Sequence, residues 1–383
     1  MVINVPKTRC MAFGILPRHL PELLINGRAV AWASEYTYVG FTLCSTARNM
    51  YAPTYIAKAD TSRRMANMTL AAESHVGRLP PWEGRLLYMA RVDPHLTAGA
   101  AVCLDTDEVL LKPLQKVQRT YLRRLLGLSQ RSPKAPLYTE TGVLPLRHRR
   151  ALLALNFLVG ILTRGPDAPP LVRAALNDAF TLGTKGTPSW LGSLAHVLRQ
   201  LGVGVALQDL YDVGGVRSTM ERLRTAAASQ VREMVTQTSR LRLLAHRGTG
   251  AMVAFRSYLR LLNADHRRAL TRLLAGEHPL GVQTGRTRRI ARKDRGCRFC
   301  AKRGSVEDEE HVLLCCDGNA ELLELRRVWR EDALMRTGRV ELPGHSRTLA
   351  TLLWGLSERK VAAAFGRFVF EVFALCDRTA MVR

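Results

Sequence analysis

The chain of 383 residues is 47% hydrophobic, enough for two or three domains with cores of their own. Its fifty-seven Lys and Arg against thirty-two Asp and Glu leave a formal charge of +25, which disfavours cationic partners and favours RNA, DNA or another polyanion. Eight scattered cysteines make no disulfide framework, no run of ~18 apolar residues reaches a membrane span, and the N-terminus lacks a signal-peptide layout; the expectation is a nuclear or cytoplasmic protein, neither secreted nor membrane-bound.

Residues 1–45 read as a small β unit. Arg9 to Gly14 and Tyr36 to Leu43 are short apolar runs with β-branched and aromatic residues, separated by a Pro-containing stretch and the turn signal Asn26-Gly27. From about residue 46 the pattern turns helical. In Asp107 to Leu126, Leu110, Leu114, Val117, Tyr121 and Leu125 recur at helical spacing, while Lys112, Lys116, Arg119 and Arg123 fall on the opposite face. That stripe is either a phosphate-facing surface or a solvated charged face, and Pro113 either kinks the helix or marks its start. The acidic cluster Asp105 to Glu108 reads as a helix N-cap. Gly127, Pro133 and Pro136 interrupt the pattern, and Leu152 to Leu162 resumes it. Residues 164–191, with Gly165-Pro166, Pro169-Pro170, Gly183, Gly186 and Pro188, read as an interdomain linker or surface loop. Arg217 to Leu274 reads as two or three helices carrying twelve arginines and only Glu221, Glu233 and Asp265 as acids.

Next comes the densest charge of the chain. Arg286, Arg288, Arg289, Arg292, Lys293, Arg295, Arg298, Lys302 and Arg303 set nine basic residues against the single acid Asp294. Cys297-x2-Cys300-x10-His311-x4-Cys316 lies within and after that run, and four such ligands can close a tetrahedron around a structural Zn²⁺. Cys315 competes for the last place, because His311 and Cys315 stand at the i, i+4 offset that an uninterrupted helix would put on one face. A metal-stapled knuckle fed by this charge points to nucleic-acid binding. Catalytic constellations are thin: there is no phosphate-loop, dinucleotide-binding or H-E-x-x-H motif, and His75, His95 and His266 have no readable nucleophile partner.

Together these segments carry a resemblance. Val5 to Gly14, Val-Pro-Lys-Thr-Arg-Cys-Met-Ala-Phe-Gly, resembles the N-x-x-K-T-x-x-M-x-F-G segment that follows the catalytic aspartates in reverse transcriptases of non-LTR retrotransposons. Tyr36 to Leu43 looks like their primer-grip strand pair, with Val39 in place of the usual Leu. Leu114 to Leu128, with Pro136-Leu137-Tyr138, Glu140-Thr141-Gly142 and Pro145-Leu146, is similar to their thumb and post-thumb pattern. Cys297 to Cys316, including Val306-Glu307-Asp308-Glu309 and His311, looks like their C-terminal zinc-binding region, and this likeness is what favours Cys316 over Cys315 as the fourth ligand.

The resemblance implies a mainly α chain with a small N-terminal β unit: a palm remnant over 1–45, a helical thumb over 46–163, a helical basic linker over 164–285, a zinc knuckle over 286–325 and a helical tail over 326–383. It implies RNA or DNA as partner, and the charge density points to Lys112, Lys116, Arg119, Arg123, Arg286, Arg288, Arg289, Arg292, Lys293 and Arg295 as contacts. It also exposes a departure. Polymerisation requires two metal-bound carboxylates, which the family carries in a Y-x-D-D turn and an earlier strand, and no such turn occurs here. The expectation is therefore a C-terminal fragment of an RNA-directed DNA polymerase, inactive alone and using Mg²⁺ only if a missing palm is supplied in trans. Two rivals are a subunit that completes such a split enzyme and a zinc-stapled helical scaffold with no nucleic-acid role.

Overall fold

A computed structural model of the chain describes residues 3–14, 18–247, 250–300, 302, 304–343 and 348–381. Named strands are confined to residues 9–44, and helices carry most of the chain from Ala52 onward, so the molecule is mainly α with a small N-terminal β unit. That unit is built on two-residue turns. Leu24–Ile25 pairs antiparallel with Arg28–Ala29 across Asn26 and Gly27, whose φ values are 50° and 73°. Glu35–Tyr38 pairs with Phe41–Cys44 across Val39 and Gly40, at φ 49° and 78°. Two successive positive φ values are what a type I′ hairpin turn needs, and Asn-Gly supplies them cheaply whereas β-branched Val39 does so under strain. Of the Arg9 to Gly14 run only Arg9–Cys10 is a strand, paired in parallel with Ala31–Trp32.

The chain divides into two compact units, one formed by Met1–Thr69, Met89–Gln118 and Pro145–Ala226, the other by Leu70–Tyr88, Arg119–Leu144 and Ala227–Arg383. In the first, helix Leu146–Arg164 extends well beyond the Leu152 to Leu162 read from periodicity. Its Arg150 is buried and spends its donors inside: Nε reaches both oxygens of Asp105 at 3.0 and 2.9 Å, Nη1 the carbonyl of Leu96 and Nη2 that of Cys103. Asp105 also accepts the Tyr55 hydroxyl at 2.6 Å. The acidic cluster is thus split in role. Asp107 alone caps, accepting the Val109 amide, while Asp105 is a core counter-ion and Glu108 pairs with Arg147.

A helix, Pro170–Thr184, occupies the centre of the stretch expected to be a linker or loop. The Pro-Pro pair that signalled a loop marks the helix start, where proline is favoured, and Leu171 to Leu176 are mostly good helix formers that bring Phe180 into the core. Helix Glu108–Leu126 runs as expected and buries Leu111, Leu114, Val117, Tyr121, Leu122 and Leu125. Pro113 lies inside it on the exposed side, where water can meet the carbonyl its missing N–H leaves unpaired.

The second unit centres on helix Ala362–Arg378. Phe365, Phe368, Val369, Val372, Phe373 and Cys376 form one apolar stripe along it. Trp329 of helix Ala320–Thr337 stacks on Phe368, with ring centroids 5.0 Å apart. On the other side helix Ala264–Ala275 crosses at Gly366, where an added Cβ would meet the Cβ of His266 at 3.1 Å. This body holds the cysteine and histidine cluster.

Candidate metal centre

The knuckle starts as a narrow ribbon. The Cys297 amide donates to Ser305 O at 3.0 Å, and the Glu307 amide to Arg295 O at 2.9 Å, folding the segment back on itself after Cys300. The next turn decides the fourth ligand. His311–Cys315 is a π-turn closed by the Cys316 amide donating to His311 O at 2.6 Å. A π-turn aligns residues five apart where an α-turn aligns residues four apart, so it brings Cys316 rather than Cys315 under His311. The ligand atoms of Cys297, Cys300, His311 and Cys316 all lie within 4.8 Å of one another, close enough to hold a metal ion. Cys297 Sγ is 3.7 Å from Cys316 Sγ, and Cys300 Sγ is 3.4 Å from His311 Nε2.

The electrostatics fit a cation. Backbone amides of Cys300 and Phe299 point at the Cys297 sulfur, and that of Gly318 at the Cys316 sulfur, which favours thiolates. The four groups also compete for protons. Hydrogen bonding to Cys316, with burial, pushes the Cys297 thiol up to about 12, and hydrogen bonding to Cys297 pushes His311 up to about 9. A bound dication would displace those protons, since thiolate and neutral imidazole are the liganding forms. Gly318 closes the site from above: a Cβ there would fall 2.3 Å from Cys300 Cα.

Four consecutive acids fix the knuckle to the helical body. Buried Glu307 accepts the amides of Gly281 and Arg298 at 2.7 and 2.8 Å and pairs with the Arg298 guanidinium. Asp308 takes Arg242 and Arg292, Glu309 takes His278 at 3.0 Å, and Glu310 takes Arg242 and the Leu349 amide. None of these roles was visible in the sequence. A run of acids reads as solvated surface unless its partners are known.

The expected nucleic-acid contacts separate into three kinds. Arg288, Arg289 and Lys293 are exposed and form no ion pair among the described residues, as do Lys112 and Lys116. Arg292 is also exposed but pairs with Asp308 at 2.6 Å. Arg295, Arg123 and Arg286 are half-buried: Arg295 donates to the carbonyls of Ile290 and Val282, Arg123 to Ser132, and Arg286 to the Ser239 hydroxyl. Arg119 is half-buried too, near enough to lower the pKa values of Arg123 and Lys134 alongside their burial. Among the flanking cations, Arg298 is a core residue saturated by Glu307 and three carbonyls, and Arg303 lies outside the described residues.

Among the described residues no helix is long and apolar enough to cross a membrane. The chain matches no protein-family model, no curated protein and no solved structure.

Proposed function

We propose that this chain is a nucleic-acid-binding part of a protein resembling non-LTR retrotransposon reverse transcriptases, with a structural Zn²⁺ held by Cys297, Cys300, His311 and Cys316. The observation that carries the reading is the convergence of those four ligands at the end of an arginine run whose Arg288, Arg289 and Lys293 stay exposed and unpaired among the described residues. Three thiolates and an imidazole fill all four positions of a tetrahedral zinc, leaving none for a reacting water, so the ion would staple rather than catalyse. The sequence likeness in Val5 to Gly14 and Tyr36 to Leu43 supports the polymerase relationship, and the latter segment forms a hairpin as a strand pair should. The function proposed is phosphate-backbone binding, by which a thumb would hold template and primer while the knuckle positions target DNA or element RNA.

The test is the salt dependence of binding. Each phosphate neutralised on duplex DNA adds about 0.9 to the log–log slope, so replacing Arg288, Arg289 and Lys293 together by Gln should flatten it by about 3 units. The zinc content should not change, because these positions precede the first ligand. Absence of binding by the wild-type chain even at low salt would leave a zinc-stapled scaffold in its place.

A further inference from the structure

The second unit contains a cleft whose lining carries more positive charge than its carboxylates can neutralise. It has a volume of about 890 Å³ and lies among the end of helix Glu108–Leu126, helix Ala264–Ala275 and helix Gly281–Thr287. Its lining holds seven arginines and two glutamates. Both acids are already engaged: Glu73 pairs with Arg124 at 2.9 Å, and Glu277 accepts the amide and hydroxyl of Ser129 at 3.0 and 2.6 Å. Arg78, Arg240, Arg268, Arg272 and Arg286 form no ion pair among the described residues. The last four each give one nitrogen to a neutral oxygen, of Arg131, Gly127, Glu277 and Ser239 respectively, which fixes the guanidinium and leaves other donors of its fork open. Burial and then Arg268 lower the pKa of Arg272, as burial and then Arg240 lower that of Arg286, so the cations crowd one another.

Anchored guanidiniums with open donors suit phosphate, which takes two parallel N–H bonds from one fork. The lining includes no Trp, Tyr or Phe on which a base could stack, so its arginines would hold a strand by its phosphates, contacts that carry no sequence information. The volume falls in the range of small-ligand sites, about 300–1,000 Å³, which admits a few nucleotides of one strand and not a duplex. We propose that this cleft binds the phosphodiester backbone of a single-stranded segment without base selection, an assignment that rests on the nucleic-acid reading above. Its residues are new to that reading except Arg286.

The zinc-loaded full chain is titrated with a labelled oligothymidylate, an oligoadenylate and a duplex of equal length across a salt series. The variant R78Q/R240Q/R268Q should flatten the single-strand slope by about 2, at about 0.7 per contact, equally for both bases, and leave the duplex slope in place. An unchanged single-strand slope overturns the cleft while duplex binding that still responds to Arg288, Arg289 and Lys293 upholds the wider reading. Wild-type protein that binds no nucleic acid at low salt overturns both. Equal loss for duplex and single strand overturns the single-strand assignment. So does loss of inorganic tripolyphosphate binding with the strand unaffected, which would make the site one for small polyphosphates. If the variant does not fold, a 4-thiothymidine strand is photocrosslinked to the wild type: adducts within residues 124–130 and 264–287 support the cleft, and adducts confined to 288–295 overturn it.

Discussion

Between the adjacent sulfurs of Cys315 and Cys316, one hydrogen bond selects the ligand. Because the Cys316 amide reaches back five residues to His311 O, the turn is one residue wider than an α-turn and Cys316 joins the cluster. Cys316→Ser and Cys300→Ser should therefore lose zinc on dialysis against a weak chelator, while Cys315→Ser keeps a full complement. Metal analysis of the three variants checks this, and retention by Cys316→Ser with loss by Cys315→Ser would reverse the assignment. His148 gives a second prediction at this scale. It is buried, neither ring nitrogen has a hydrogen-bond partner among the described residues, and burial together with Arg147 brings its pKa down to about 4. The folded protein therefore holds it neutral, whereas the unfolded chain takes up a proton below the ordinary pKa near 6.5. Stability is complete above that value and falls as pH drops from it toward 4, by about 2 kcal/mol at pH 5. Denaturant melts at pH 7.5 and 5.0 should show that difference between the wild type and a His148→Leu variant, which lacks the titrating group.

Among the elements, those with a single buried stripe were legible in sequence, because helical spacing alone specifies which face turns inward. Helix Glu108–Leu126 is the clearest, and the Asn26-Gly27 turn was equally readable since few dipeptides accept two positive φ values. Helix Pro170–Thr184 was not, because its prolines punctuate a loop and open a helix with the same residues. The roles of Asp105 and Arg150 were not legible either. A carboxylate ahead of a helix has a local explanation as a cap, and only the fold brings it to a guanidinium 45 residues away. The side chains are 3% and 4% exposed, deep enough that losing one strands the other as an unpaired buried charge. Arg150→Met should cost about 3–5 kcal/mol in urea melts, and the double variant Arg150→Met, Asp105→Leu should recover much of it. A single variant as stable as wild type would mean that water reaches Asp105.

At the scale of the whole molecule, the four candidate ligands belong to one of the two units, so the consequences of removing a metal held there should be confined to that unit. The four acids Glu307 to Glu310 lie in the segment whose two ends, Cys300 and His311, one bound ion would tie together. Glu307 O accepts the Val282 amide and its side chain the Gly281 amide, so it fixes the start of helix Gly281–Thr287, and Glu309 holds the buried His278 just before it. Opening the knuckle removes the acceptors for these groups together, and buried amides without partners are costly, so the helix should fray with the knuckle. Chelation of zinc should then raise hydrogen exchange at Gly281, Val282 and the amides of 305–316, while helix Leu146–Arg164 of the other unit keeps its protection. A uniform loss across both units would mean that the ion governs global stability rather than the local anchoring of this helix. No change anywhere would mean that the acid contacts hold the segment without metal.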